Sequence, residues 1–187
     1  NLGQPVVPDN RPGAAGVIGM TAVKNAPPDG YTTGFGNLSS VGNAPLLGDP
    51  TPYDAQKDFE PIALVYRSVI ILAWNEPGSG NTLTELIERT RKNPGKLNYS
   101  SPGPGSYAHL WIEMLKHRMG INMVHVPYKG AGPAFQAILT GEVQFTLGET
   151  AVAGAASASA MKIIVQLGEQ RSPTYPNLPT VREAGYP

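Results

Sequence analysis

Short apolar runs alternate with polar, glycine- and proline-rich connections along nearly the whole chain. Apolar runs of about four to eight residues between turn residues are typical of buried strands. These runs predict strands at residues 4–7, 31–36, 59–66, 69–74, 96–99, 122–127, 143–147 and 162–167. Helical spacing predicts helices at residues 14–24, 133–140 and 151–160, and from Thr82 and Ser106 onward. This alternation of strand and helix predicts an α/β fold with largely parallel strands.

The two helices that begin at capping residues carry the clearest local signals. Thr82 and Glu85 have the spacing of a capping box, in which each side chain bonds the other residue's backbone N–H. The helix after Ser106 is expected to bury a stripe of large apolar residues: Leu110, Trp111, Met114, Leu115 and Met119.

Composition excludes several classes of partner and site. Of the 187 residues, 41% are hydrophobic and 15% charged, with a net charge of +0, so the chain can build a core but lacks the basic surplus for binding nucleic acid or an anionic membrane. Cysteine is absent, which removes disulfides and thiolate metal sites. No apolar run reaches the length of a transmembrane helix.

The residues from 98 to 115 predict an anion-binding loop. A strand leads into a loop of small residues that contains Gly103 and Gly105, and a helix begins near Ser106. Helix N-terminal N–H groups lack internal partners and carry partial positive charge, and glycine lets a ligand approach the backbone. Ser100, Ser101 and Ser106 add hydroxyl groups. The interpretation is a site that holds a negative group; the alternative is an ordinary loop before a helix capped by Ser106.

Two further polar features have open interpretations. The loop at residues 37–43 carries uncharged hydrogen-bonding side chains, among them Asn37, Ser39 and Ser40, and either shares the ligand or is a solvated turn. Glu149 follows a predicted strand, at the edge where sites of α/β proteins gather. It either accepts a ligand amine or hydroxyl or caps the next helix.

The sequence gives weaker evidence for a catalytic site or a metal site than for a binding site. His109, His117 and His125 are spaced by eight, which suits no helical metal pair, so no metal or cofactor is expected. His109 lies in the first turn of the helix and is a candidate ligand contact, whereas His125 alternates within a strand and reads as structural. A hydrolase that uses Ser101 or Ser106 with His109 is the enzymatic alternative, but no Gly-x-Ser-x-Gly elbow is present.

Several motifs in one order resemble the Bug family of tripartite tricarboxylate transporter (TctC-like) receptors, which are periplasmic solute-binding proteins. They include Asn-Arg-Pro-Gly-Ala-Ala-Gly at 10–16 and His-Val-Pro-Tyr-Lys-Gly at 125–130. The other matching stretches lie at residues 28–32, 53–61, 93–99 and 178–185. The resemblance covers nearly the whole chain.

The resemblance implies a periplasmic binding protein of type II, in which two α/β lobes close on a ligand like a Venus flytrap. The implied division is a partial first lobe at 1–66, a second lobe at 67–169 and a segment at 170–187 that returns toward the first lobe. The implied function is non-enzymatic: a small carboxylate is bound and delivered to membrane permease subunits. A stand-alone ligand-sensing domain without a transport role is the other alternative that the sequence leaves open. The loops and this resemblance together predict ligand contacts at Asn37, Ser39, Ser40, Ser100, Ser101, Gly103, Gly105, Ser106, Tyr107, His109 and Glu149, of which Ser106, Tyr107 and Glu149 come from the local sequence alone.

Against the family pattern, this chain is expected to be truncated at both ends. Its first strand, loop and helix would be absent, so the first lobe is incomplete, and no signal peptide is present in this chain. Apolar strand edges would then be exposed, which predicts possible self-association. Gly148 and Glu149 stand where the family often has Asp-Asn, so Glu149 is expected to favour a cationic or hydroxyl group.

Overall fold

The computed structural model describes residues 3–47, 51–78, 80–149 and 161–186. Within them are four α-helices and five strands. The helices are α1 (Val17–Lys24), α2 (Leu83–Lys92), α3 (Tyr107–Met119) and α4 (Ala131–Leu139). The strands are β1 (Ile70–Trp74), β2 (Asn98–Ser101), β3 (Val124–Pro127), β4 (Phe145–Glu149) and β5 (Lys162–Leu167). A short 3₁₀ turn (Ala14–Gly16) precedes α1, and a π-helical turn spans Leu38–Asn43.

The five strands form one sheet in the order β3-β2-β4-β1-β5. β2 is parallel to β3 and β4, whereas β1 is antiparallel to both of its neighbours. Four strands therefore share one direction, so the predicted largely parallel arrangement is confirmed with one reversed strand. The carboxyl ends of β2, β3 and β4 meet at one edge of the sheet, where ligands of α/β proteins bind.

Helices cover both faces of the sheet. One apolar cluster joins Leu72 and Trp74 of β1 to α2 and α3, and a second joins Ala73 to Ile138 of α4. Successive residues of β1 thus enter opposite clusters, as the two-residue period of a strand requires. This double coverage explains why the sequence of β1 is an uninterrupted apolar run.

The expected capping box at the start of α2 is confirmed. The Glu85 N–H donates to Thr82 Oγ1 at 3.2 Å, and the Thr82 N–H donates to Glu85 Oε2 at 3.0 Å. α3 likewise begins at the predicted cap, Ser106, and ends at Gly120, which has a φ of 61°.

The predicted buried stripe of α3 is largely wrong. The residues that α3 buries are Ala108, Ile112 and Leu115, whereas Met114 is 43% exposed. The prediction placed the largest apolar side chains of α3 against the sheet. The face that packs on the sheet instead starts at the small Ala108, which allows the first turn to approach β2 closely. Trp111 and Met119 pack only at the margin of the core.

Three predicted strands are absent from the described structure. Residues 4–7, 31–36 and 59–66 are irregular, and their apolar side chains are exposed, as for Val7 (83%), Phe35 (72%) and Leu64 (71%). A strand needs a neighbouring strand for its backbone hydrogen bonds, and these runs have none within the described residues. The predicted strand at 96–99 begins at Asn98 and continues to Ser101. The helix expected at 151–160 lies outside the described residues.

The segment after β5 packs against the sheet and its helices. Val181 packs against the core cluster that contains Leu72 and Trp74. The Gln166 side chain donates to the Leu178 carbonyl at 2.6 Å, and the Tyr186 hydroxyl donates to Thr84 Oγ1 at 3.3 Å. The division of the chain after residues 66 and 169 stays a prediction. In the described part of the chain, no helix combines the length and apolar character needed to cross a membrane.

Candidate functional site

The loop between β2 and α3 lies at the carboxyl edge of the sheet and is held by its own short-range contacts. Gly103 and Gly105 have φ angles of 133° and 76°, which favour glycine. The Gly103 N–H donates to Ser101 Oγ at 3.1 Å, and the Gly105 N–H donates to Nδ1 of His109 at 3.2 Å. The hydroxyl of Ser106 caps α3 by accepting from the His109 N–H at 3.4 Å. We refer to residues 101–106 as the ligand loop.

The second predicted polar loop, at residues 37–43, contacts the start of α3 directly. Asn37 and Ser40 form a capping box that shapes its π-helical turn. Ser39, which is buried, accepts a hydrogen bond from the Tyr107 N–H at 3.0 Å. The Tyr107 N–H is the first amide of α3 and has no partner within the helix. The structure therefore brings the two polar segments together across 68 residues of sequence.

Ser100 belongs to the scaffold and not to the loop. Its hydroxyl is fully buried, donates to the Ala134 carbonyl of α4 at 2.7 Å and lies 2.9 Å from Thr146 Oγ1 of β4. Since β2 continues through Ser101, Ser100 points to the α4 side of the sheet while Ser101 points to the other side. Ser100 thus ties α4 to two strands, and we leave it out of the proposed ligand contacts.

Two histidines lie behind the ligand loop. The His125 Nε2 and Ser101 Oγ atoms are 2.7 Å apart, and the rings of His109 and His125 are stacked with centroids 4.3 Å apart. The ring of Tyr99 stacks on the other face of His125 at 4.8 Å. Tyr99 and His125 are direct partners in the β2–β3 ladder, which explains their stacking.

A charged pair completes this cluster. The Tyr99 hydroxyl and the Lys116 ammonium each donate to Glu113 Oε1 at 2.6 Å. Sequence reasoning missed Tyr99, Glu113 and Lys116. A signal was present, because His109, Glu113 and Lys116 are spaced by four and three residues and so share one face of α3.

Burial keeps both imidazoles neutral at ordinary pH. Burial, together with the smaller effect of the neighbouring His109, lowers the pKa of His125 to about 4. Burial also lowers the pKa of His109, and this outweighs the opposing effect of the Glu113 charge. For Glu113, burial favours the neutral form, but hydrogen bonds from Lys116 and Tyr99 and nearby positive charge hold its pKa below the ordinary value.

Glu149 lies at the end of β4, at the same edge of the sheet as the ligand loop. The Tyr66 hydroxyl donates to Glu149 Oε2 at 3.4 Å. Burial, and to a lesser extent the negative charge of Glu149, raise the pKa of Tyr107. The charge of Glu149 and burial also raise the pKa of Tyr66, so both tyrosines are neutral beside this carboxylate. The predicted position of Glu149 at the carboxyl end of a strand is confirmed, although the strand continues two residues further than expected and includes Glu149. The predicted helix at 151–160, which Glu149 would cap, lies outside the described residues.

The serine–histidine arrangement expected of a hydrolase is different from the one observed. Ser101 contacts His125 and not His109, and the imidazole of His109 accepts from a glycine amide of its own loop. Ser101 and Ser106 are both fully buried, so neither hydroxyl is accessible to a substrate carbonyl. Among the described residues, no group of three His, Asp or Glu side chains has a geometry that could hold a metal ion.

The sequence matches one family over its whole length. The model of the tripartite tricarboxylate transporter family receptor, TctC, matches residues 1–187. The chain belongs to the TctC family. Its resemblance to that family is thereby confirmed.

Relatives and solved structures of this kind agree over most of the chain. The chain is similar to protein BugT of Bordetella pertussis, with 35% identity over 193 residues that cover 100% of this chain and 58% of BugT. It is similar to the structure of R. palustris Rpa4515 with adipate, at 30% identity and a TM-score of 0.92, over 100% of this chain and 62% of that one. It is also similar to MatC from Rhodopseudomonas palustris with bound malate, at 31% identity and a TM-score of 0.84, over 92% and 59%.

These matches establish the fold of the chain. The chain has the α/β fold of periplasmic binding proteins, as expected, and it spans little more than half the length of the curated relatives it matches. The TctC family is described as one of receptors, which agrees with the expected non-enzymatic role.

Proposed function

We propose that this chain is the ligand-binding part of a periplasmic receptor that captures a small carboxylate and delivers it to a tripartite transporter. The observation that carries the proposal is the hydrogen bond from the Tyr107 N–H to Ser39 Oγ, which joins the two polar segments at the start of α3. Membership of the TctC family supports the receptor role, and the adipate and malate bound by similar proteins support the ligand class.

The proposed carboxylate site lies where Ser39 meets the ligand loop. Because Ser39 Oγ accepts from the Tyr107 N–H, its hydroxyl hydrogen is available to donate to an anion. The partial positive charge at the start of α3 polarises this hydroxyl. The proposed donor to the anion is the Ser39 hydroxyl, beside the amides of Gly103, Gly105 and Tyr107, which already donate to Ser101, His109 and Ser39. The residues that hold them are Asn37, Ser40, Ser101, Ser106 and His109.

We propose that Glu149 contacts the end of the ligand opposite its bound carboxylate. A second carboxylate placed beside Glu149 would be repelled, whereas an amine or hydroxyl could donate to it. The Tyr66 hydroxyl already donates to this carboxylate at 3.4 Å, a distance that leaves room for a better donor. We therefore propose a carboxylate that also carries an amino or hydroxyl group.

Delivery requires that the transporter distinguish the loaded receptor from the empty one. In the proposed mechanism, the ligand bridges Ser39 and the ligand loop and so favours the closed arrangement of the two segments. A shift from about 1:99 to 99:1 needs roughly 5.5 kcal/mol of differential binding, which a few charge-assisted hydrogen bonds supply. The membrane permease partner is proposed from the family description alone.

Isothermal titration calorimetry tests this function. The probes are adipate, malate and the neutral adipamide, which keeps the chain length of adipate without its charges. We expect a heat of binding for at least one acid and none for adipamide. No heat with either acid, or equal binding of adipamide, would contradict the proposed anion site. Cleavage of p-nitrophenyl acetate that disappears in Ser101→Ala would support the hydrolase instead.

Self-association of the chain is a second, independent proposal. The irregular segments at residues 4–7 and 61–66 expose apolar side chains, among them Val7 (83%) and Leu64 (71%). Exposed apolar patches of this kind mark surfaces that another polypeptide covers. Light scattering after size exclusion should give a mass above one chain, and Leu64→Lys should reduce it. A monomer at all concentrations would contradict this proposal.

A further inference from the structure

We propose that His109 and His125 are positioning residues of the ligand loop: as neutral imidazoles they hold the backbone of Gly105 directly and that of Gly103 through Ser101, so that protonation of His109 releases Gly105 and protonation of His125 rearranges the hydrogen bonds of Gly103. The loop-holding part of this inference is independent of the proposed function. Its consequence for ligand affinity rests on that function.

The contact of His109 with Gly105 fixes the protonation state of the ring. The Gly105 N–H donates to Nδ1 of His109 at 3.2 Å, so Nδ1 carries no proton and the neutral ring is protonated at Nε2. A second proton on this ring must bind Nδ1, which then becomes a donor facing another donor. Protonation therefore removes the acceptor of the Gly105 amide and replaces it with a repulsive contact.

His125 acts on Gly103 through Ser101. The Ser101 Oγ atom lies 2.7 Å from Nε2 of His125, accepts from the Gly103 N–H at 3.1 Å and lies 3.2 Å from the Gly103 carbonyl. With Nε2 unprotonated, the Ser101 hydroxyl donates to the imidazole. A protonated Nε2 must instead donate to Ser101, whose hydrogen then turns to the Gly103 carbonyl. In the neutral tautomer protonated at Nδ1, the charge of His125 is thus coupled to the hydrogen bonding of Gly103.

The stacked geometry links the two histidines to each other. Their ring centroids are 4.3 Å apart with an interplanar angle of 20°, so two positive charges would repel strongly. The ionisable groups around the pair are Tyr99 of β2, on the far side of His125, and Glu113 and Lys116 of α3. Glu113 favours the imidazolium form, whereas Lys116 and burial oppose it, and the opposing effects are larger.

The test is a pH titration followed by two-dimensional NMR of the ligand-free chain. Ring ¹⁵N shifts at pH 8 should identify His109 as protonated at Nε2 alone. From pH 7.5 to about pH 3, the Gly105 amide signal should move with the midpoint of the His109 ring, and the Gly103 signal with that of His125. Glycine signals that stay fixed while the rings titrate, or an Nδ1-protonated His109, would overturn the proposal.

Variants separate positioning from simple packing. In His109→Asn the amide oxygen lies near the place of Nδ1, and in His125→Gln it lies near the place of Nε2, so each keeps an acceptor but cannot titrate. We expect both to abolish the pH-dependent movement of their own glycine and to keep adipate or malate affinity at pH 8 within about threefold. His109→Leu, which lacks the acceptor, should lose at least about tenfold. His117→Asn is the matched control, because His117 is exposed at the other end of α3.

The outcomes distinguish this inference from the proposed function. If the glycine signals follow the histidines but neither acid binds the wild-type chain, the positioning role stands and the ligand assignment fails. If the acids bind but His109→Asn leaves the titration of Gly105 unchanged, the positioning role fails and the receptor function stands.

Discussion

The hydroxyl oxygen of Ser39 accepts the hydrogen bond of the Tyr107 N–H, the first amide of α3, at 3.0 Å. This contact is the direct link between the turn at Leu38–Asn43 and the helix that follows the ligand loop. It satisfies an amide that an α-helix cannot satisfy by itself, and it supports the proposed anion site.

Replacing Ser39 with alanine should weaken both folding and ligand binding. The Tyr107 amide loses its acceptor, so we expect the free energy of unfolding to fall by about 1–3 kcal/mol in urea denaturation. Affinity for a bound acid should fall by about tenfold in calorimetry. Ser172→Ala, in the turn after β5, is the matched control. Unchanged affinity in Ser39→Ala would remove Ser39 from the site.

Replacing Ser100 with alanine should lower stability without changing carboxylate affinity, because Ser100 belongs to the scaffold and does not contact the ligand. The Ala134 carbonyl and Thr146 hydroxyl lose a buried partner, so the free energy of unfolding should fall by about 1–3 kcal/mol. Carboxylate affinity should stay unchanged for the folded fraction, since the Ser100 hydroxyl points away from the loop. A selective loss of affinity with normal stability would restore Ser100 as a ligand contact.

Neutralising Glu149 should alter ligand preference and not ligand binding as such. The matched probes succinate, malate and aspartate differ only in a hydrogen, hydroxyl or amine on the same carbon. In Glu149→Gln, binding of aspartate should weaken relative to succinate, because the carboxylate that accepts from the amine has lost its charge. A competition titration gives the ratio directly, and a ratio equal to that of the wild type would exclude this role.

Acid should destabilise the chain partly through His125. Its pKa in the folded chain is about 4, below the ordinary value of 6.5, so the unfolded chain takes up this proton at a higher pH. The resulting stability is fully present above about pH 6.5 and is lost as the pH falls toward 4. Urea denaturation at pH 7.5, 5.5 and 4.5 should therefore give a smaller acid-dependent loss in His125→Gln. Parallel losses in both proteins would contradict this assignment.

Glycine should be better tolerated at Ala15 than within α1. Ala15 has a φ of 53°, in the left-handed region that costs a non-glycine residue about 1–2 kcal/mol. Ala15→Gly should leave the free energy of unfolding unchanged or raise it by about 1 kcal/mol. Ala22→Gly, within α1, should lower it by about 1 kcal/mol. Equal losses in thermal or urea denaturation would show that the Ala15 backbone relaxes without glycine.

Local signals predicted the elements that depend on local contacts. The Thr82–Glu85 box, the cap at Ser106 and the strand at Lys162–Leu167 follow from neighbouring residues, and all are observed. Residues 4–7 and 31–36 have the composition of strands, but pairing depends on distant chain, and no pairing is present in the described residues. Apolar composition alone therefore overestimated the sheet.

The site shows the same division between local and distant information. The glycine loop and its helix were predicted from the sequence. The strand before them continues to Ser101, two residues beyond its predicted end, and Ser100 therefore lies in the strand with its side chain toward α4. The role of His125 could not be predicted from its neighbours in sequence, because the parallel register of β2 and β3 brings its partners Tyr99 and Ser101 to it. Spacing alone did not reveal that His109 would accept from its own loop.

The reversed direction of β1 has a consequence for movement. Because β1 runs against its neighbours, its first residue, Ile70, lies beside Glu149 at the end of β4 and beside Leu167 at the end of β5. The polypeptide thus enters the sheet before Ile70 and leaves it after Leu167 on the same rim as the ligand loop. A rotation of the chain before Ile70 about this crossing would therefore act next to the proposed carboxylate site without disturbing the strands.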